Sequence, residues 1–390
     1  MSDRLKPVSV AALLACFGSA AAPAQPTPGG LRFERVEVAG GSGDVKLVGD
    51  VDGDGDADLV LGGLPGDDLV WFRWPGLERN LVARAASEFS TDGALADLDA
   101  DGDSDIVAPD GPQGDNLVWF ENPRPDGDPA AEWSRHAIGA AGDWVKDVEV
   151  ADFDADGRLD VAMRTASQAT IFFRDGAGGW SPIDLEGIAL GEEGMASGDL
   201  DADGAVDLVL HGEWARNPGG AAARDPAAWR GFALGSFSPA FKAVVVDLDR
   251  DGRMDVLTSS SEHRAEVLWH RPVGAATAPW QSVPIAPETE RAHTLAAADL
   301  DGDGGLEVVV GQMHTTAERS LAVYRQPEGG AGPWQRQAID DVGLHNGVVA
   351  DIDGDGRPDI FGSNWAGNPP VRLWLNRTHP VGDTGGSQQD

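Results

Sequence analysis

Asp351-Ile352-Asp353-Gly354-Asp355-Gly356-Arg357-Pro358-Asp359 carries the spacing that decides the architecture of this chain. Three aspartates stand at alternate positions, a glycine follows the third, and a fourth acid closes the stretch at position nine. The same pattern, D-x-D-x-D-G-x-x-[D/E], begins at Asp50, Asp97, Asp152, Asp199, Asp247 and Asp299, giving seven copies in all, and only the sixth closes on glutamate, Glu307. The intervals are 47, 55, 47, 48, 52 and 52 residues. A repeat of roughly fifty residues is the period of a four-stranded propeller blade, so the 390 residues read as one array rather than two or three domains.

The flanks of each copy fix its context. Short apolar runs precede the loops, as in Val244-Val245-Val246, and follow them, as in Val308-Val309-Val310. These runs are brief, β-branched and bounded by Gly and Asp, which indicates strands rather than the helices of an EF-hand. Carboxylates at positions one, three and five can converge on a hard cation. A backbone carbonyl at seven and the acid at nine would complete an oxygen shell, and the invariant glycine at six lets the chain turn back around it. The expected calcium ligands are Asp50, Asp52, Asp54 and Asp58; Asp97, Asp99, Asp101 and Asp105; Asp152, Asp154, Asp156 and Asp160; and Asp199, Asp201, Asp203 and Asp207. The last three copies supply Asp247, Asp249, Asp251 and Asp255; Asp299, Asp301, Asp303 and Glu307; and Asp351, Asp353, Asp355 and Asp359.

Two further signatures recur around the loops. One is an aromatic strand, as in Leu69-Val70-Trp71-Phe72 and Leu117-Val118-Trp119-Phe120, irregular in the fourth repeat around Trp214. The other is a strand led by tryptophan at Trp133, Trp229, Trp280 and Trp334, with weaker versions from Leu77 and Trp180. Each blade therefore reads as inner strand, acidic loop, second strand, aromatic third strand and outer strand. After the seventh loop only three strands remain, and residues 32–38 supply the missing outer strand that closes the ring and removes its exposed edges. The expected fold is an all-β, seven-bladed propeller over residues 32–376. A signal peptide (1–24) and a linker (25–31) precede it, and a disordered tail (377–390) follows.

With these elements in place the chain resembles the FG-GAP/VCBS-type repeats of integrin α-chain propellers and many secreted bacterial proteins, over roughly residues 31 to 376. The resemblance implies seven blades with calcium at the turn between the first two strands. The Phe-Gly element that names the family is mostly replaced, Phe361-Gly362 being its nearest match. Relatives include lectins, adhesion proteins and carbohydrate-active lyases or dehydratases, so the resemblance does not fix an activity.

Acidic residues number 65 against 29 basic ones, a formal charge of −36, which argues against nucleic acid and anionic membranes as partners. The loops hold 30 of those acids, five in each of the first two copies and four in each of the others. Nearly half of the acidity is thus ligand. Arg4, Lys6 and an apolar stretch from Val8 to Ala15 form an export signal, with Ala22-Pro23-Ala24 as a cleavage site. The single cysteine, Cys16, follows Leu13-Leu14-Ala15 in the manner of a lipobox, so the product is either secreted or periplasmic, or lipid-anchored at the surface. No disulfide is available to the mature fold, and no segment is long and apolar enough to span a bilayer.

If calcium marks one face, the starts of the inner strands mark the other. Asp44, Asp92, Lys146, Asp147, Glu193, Lys242, His293, His345 and Asn346 fall there, together with Arg164, His211, Glu213, Glu262, His263, His314, Asn364 and Trp365 from the turns after the second strands. Five of the eight histidines map to this rim, all in the last four blades. Catalytic candidates are His293, His345, Lys242, Lys146, Glu193 and Arg164. Candidate ligand contacts are His263, His314, Glu213, Asn364 and Trp365. Two functions stay open: a monomeric propeller binding a glycan or an extracellular protein, and a lyase or dehydratase working by β-elimination with a histidine as base. The rim histidines could instead hold a metal with Glu193 or Glu213. Most tryptophans read as packing, Trp214 and Trp365 being assigned to irregular turns on this face.

Overall fold

The computed structural model describes residues 30–379 apart from 42, 64–67, 85–88, 90, 112, 328–331 and 367–369. The export signal, Cys16 and most of the C-terminal tail lie outside the described residues. Seven antiparallel four-stranded sheets account for the strands. Their inner strands, Val45–Gly49, Ala94–Ala96, Asp147–Ala151, Ala196–Gly198, Phe241–Val246, Ala292–Ala298 and His345–Ala350, each touch the inner strand of the next blade, and the last touches the first. The ring is closed. Among the described residues no helix is long and apolar enough to cross a membrane.

Closure comes from the N-terminal strand, as the count of strands required. Phe33–Gly40 pairs antiparallel with Pro370–Asn376, the third strand of blade seven, from Phe33 opposite Asn376 to Gly40 opposite Pro370. The pairing extends past the expected boundary of the tail. The Arg377 amide donates to the Arg32 carbonyl at 2.7 Å, and the Arg32 amide donates to Thr378 Oγ1 at 2.9 Å. The start of the segment read as a disordered tail is therefore ordered, because it continues a strand ladder.

The hydrophobic core lies between blades rather than within one. Seven buried clusters each join two neighbouring sheets. In blade one, Val60, Leu69 and Trp71 pack toward blade two, whereas Leu59, Leu61, Val70 and Phe72 pack toward blade seven. Both faces of a middle strand are thus covered, which explains runs that are apolar throughout rather than alternating. Trp133, Trp229 and Trp280 are buried, and their indole N–H groups donate to the carbonyls of Pro129, Ala223 and Ala276. Trp214 corrects its sequence assignment. It sits in Glu213–Arg216, the third strand of blade four, opposite Val209 and Phe232, and is fully buried. The turn before this strand, His211–Gly212, is only two residues long, so the third strand comes sooner after the acidic loop than the pattern of the other blades leads one to expect.

Candidate functional site

The acidic loops are built alike around the ring. Every second strand begins on the position-nine acid, as in Asp58–Gly62 and Glu307–Gln312. That acid is buried, and one of its oxygens accepts the backbone N–H of position two in all seven blades, at 2.8–3.1 Å. In five blades its second oxygen accepts an N–H at the end of the third strand, from Trp74, Asn122, Arg174, Asn217 or Asn376. The acid is a clasp between loop and sheet, and in the seventh copy Asp359 Oδ2 accepts the Asp353 amide as well, at 3.3 Å. The first aspartate accepts the N–H of the position-six glycine, as from Gly157 to Asp152 at 2.8 Å. Position four is left-handed in every copy, from Gly53 and Ala100 to Arg250 and Gly354. This detail escaped the pattern because alanine or arginine stands there in four copies and glycine in three.

The donor set fits a divalent cation. Carboxylate oxygens of Asp50, Asp52 and Asp58 lie within 4.8 Å of one another, as do those of Asp97, Asp99 and Asp101, of Asp152, Asp154 and Asp156, and of Asp199, Asp201 and Asp203. One oxygen of each of Asp154 and Asp201 is buried without a hydrogen bond. Burial pushes Asp58 up to about 6 and Asp105, Asp160 and Asp207 up to about 7, with neighbouring loop carboxylates adding to the rise. A cation among them would reverse that penalty. Arginines at the ends of third strands offset part of the charge. Arg73 pairs with Asp52, Arg216 with Asp201 and Asp203, and Arg325 with Asp301.

At the other end of the channel the rim residues converge more selectively than the sequence could show. Asp44, Lys146, Glu193, Glu262, His293, His345 and Trp365 line one cavity of about 200 Å³, joined by Thr91, Trp144, Arg291, Met313 and Thr315. The His293 and His345 rings stack with centroids 4.1 Å apart. His293 Nε2 lies 3.2 Å from Glu262 Oε1 and 3.9 Å from Glu193 Oε1, and Ser261 Oγ donates to Glu193. His345 Nδ1 lies 3.2 Å from Asp44 Oδ1. Burial, aided by the neighbouring His293, pushes His345 down to about 3 against the pull of Asp44. Burial would raise Asp44, but His345 and Lys46 outweigh it and hold the carboxyl low. Buried Lys46 is itself pushed down to about 8. The Lys146 ammonium caps the Trp144 ring 3.4 Å from its centroid. Thr91, Arg291 and Asn346 hold left-handed backbone here (φ 61°, 48° and 47°), the local strain that functional sites tend to store.

The other candidates go elsewhere. Arg164 is fully buried and donates to the carbonyls of Thr165, Gly191 and Gly194, with Asp147 3.9 Å away. Lys242 faces Asp147 at 3.7 Å. His211 packs edge-on against Phe237. Glu213 accepts the Ala189 amide at 3.4 Å, and the His263 carbonyl accepts the Arg291 amide. His314 lies behind Trp365, 5.8 Å between ring centroids, and the Asn364 carbonyl accepts the Gly43 amide. Trp144 and Arg291 were missed, although each stands two residues before a rim position already singled out, Lys146 and His293.

A profile of the family described as FG-GAP-like repeat matches residues 97–163, 152–210 and 214–310, more than half of the chain. No curated protein sequence matches. Among solved structures, an Agrocybe aegerita lectin described as recognising non-reducing terminal N-acetylglucosamine is 18% identical, with a TM-score of 0.54 over 89% of this chain and 86% of its own. BBS1N, solved in complex with ARL6DN, is 12% identical, with a TM-score of 0.53 over 89% of this chain and 97% of its own. At these identities the likeness is one of fold.

Proposed function

The chain belongs to the FG-GAP-like repeat family, and from that premise we propose that it is an exported calcium-loop propeller that binds a glycan at the mouth of its central channel. The observation that carries this reading is the meeting of Trp144 and Trp365 with Lys146, Arg291, Glu193 and Glu262 around one cavity. A sugar offers an apolar C–H face and a rim of hydroxyls. Indole faces suit the first, and charged donors and acceptors suit the second. The lectin with the same fold adds support by analogy alone.

In this reading each loop holds one structural Ca²⁺ through positions one, three and five and the carbonyl at seven, while position nine braces the loop and shares its charge. Seven such ions would move the formal charge from −36 to about −22. The basic and apolar N-terminus around Cys16 supports export, with or without a lipid anchor. Elimination chemistry is served less well. A base works best with a pKa near the operating pH, and His345 is held far below it. Lys242 and Arg164 are turned toward Asp147 rather than the cavity.

Glycan-array screening followed by calorimetry on the best ligand tests the proposal. Trp365→Ala is expected to weaken binding about tenfold or more. A wild-type protein that binds no glycan, or a Trp365→Ala variant that binds equally well, would overturn it. Unsaturated product appearing by absorbance from uronic-acid polysaccharides would transfer the site to a lyase.

A further inference from the structure

We propose that Glu193, Glu262 and His293 form a second kind of metal centre, an open three-ligand site for a zinc-like divalent ion at the channel mouth. One donor atom from each residue lies within 4.8 Å of the others. A tetrahedral ion bound at about 2.0–2.1 Å holds its donors roughly 3.3 Å apart. The separations of 3.2 Å and 3.9 Å from His293 Nε2 to the two carboxylates bracket that spacing.

Three successive blades deliver the ligands on fixed backbone. Glu193 is held by a bridge to Ala240, and its carbonyl accepts the Phe241 amide. Glu262 stands in the turn after Asp255–Ser260, and His293 lies in the inner strand Ala292–Ala298. The Ser261 hydroxyl bound to Glu193 is the kind of outer support that orients a ligating carboxylate. His293 is 4% exposed, and among the described residues the polar contacts of its ring run through Nε2 into the two carboxylates. An Nε2 buried between two carboxylates presents nitrogen and oxygen donors to one point, as a divalent ion requires.

One nitrogen and two carboxylates suit Zn²⁺, Co²⁺ or Mn²⁺, whereas Ca²⁺ takes six to eight oxygens, so the site is chemically distinct from the acidic loops. All three ligands line the cavity together with Lys146 and Arg291, and a water or an anionic group there would complete the shell. The centre shares Glu193 and Glu262 with the proposed glycan mouth but does not depend on that reading, and its test contains no sugar.

Protein stripped of metal and returned to excess Ca²⁺ is titrated with Co²⁺, read by visible absorption and by metal content after gel filtration. The wild type is expected to take up one Co²⁺ per chain with ligand-field bands. His293→Ala should weaken that uptake about 100-fold, and Glu262→Gln about tenfold or more. Glu262 is partly exposed, so its variant decides the matter even if His293→Ala fails to fold. A wild type that takes up no Co²⁺ beside Ca²⁺, or variants that bind it as the wild type does, would overturn the site.

Discussion

Glu149 shows how a single residue registers the interior of the ring. It stands on the inner strand of blade three, and Ser197 of blade four donates to its carboxylate at 2.7 Å. Burial pushes its pKa up to about 8, with the charges of Asp92 and Asp147 adding to the rise. The folded state therefore binds this proton more tightly than the unfolded chain does, and stability falls as pH climbs from the ordinary glutamate value near 4.5 toward 8. Below that window the group contributes no penalty. Glu149→Gln keeps the acceptor for Ser197 and removes the charge. In saturating Ca²⁺ the variant should match the wild type near pH 4 and exceed it by about 2 kcal/mol at pH 8, a shift of several pKa units discounted for water in the channel. Denaturant melts across that range check this, and parallel curves would refute it.

The element that most repays inspection is the junction between loop and third strand. Where asparagine stands at the end of the third strand, its side chain crosses to the neighbouring blade. Asn122 Nδ2 donates to Val51 O at 2.8 Å, Asn217 to Phe153 O at 2.7 Å and Asn376 to Leu300 O at 2.7 Å. Each carbonyl belongs to position two of the preceding loop, so the asparagine ties one blade's sheet to another blade's loop. Asn217 is fully buried, and its truncation leaves the Phe153 and Val206 carbonyls without their donor. Asn217→Ala is expected to cost about 2–3 kcal/mol, measured by denaturant unfolding. A change under 0.5 kcal/mol would mean that water replaces the amide there.

For the whole molecule the controlling quantity is charge held close around one end of a closed ring. Ions that bind only the folded state stabilise it by mass action, about 4 kcal/mol per site at a thousandfold excess over Kd. Calcium chelation should therefore lower Tm strongly and in a concentration-dependent way, whereas added monovalent salt should restore little of the loss. A Tm indifferent to chelator would contradict the assignment of the seven loops. Ring closure by Phe33–Gly40 leaves blade seven no open third-strand edge, which lets seven modest sheets behave as one body.

The blade count, the strand order and the closing role of residues 32–38 were legible in the chain. Each depends on local periodicity: an acid-glycine spacing, a β-branched run, a missing fourth strand. The clustering of charged residues at one rim was legible for the same reason, since every blade repeats the same register. Which of them meet was decided only in three dimensions. His293 stacks on His345 while His211 turns into a phenylalanine pocket, and Arg164 is consumed by carbonyls one blade away, because neighbouring sheets are rotated around the axis and each loop has its own length. Trp214 was misplaced because the two-residue turn at His211–Gly212 brings its strand early after the acidic loop, out of register with the other repeats. Local spacing therefore determined the seven-bladed ring, and packing between blades decided which side chains share its mouth.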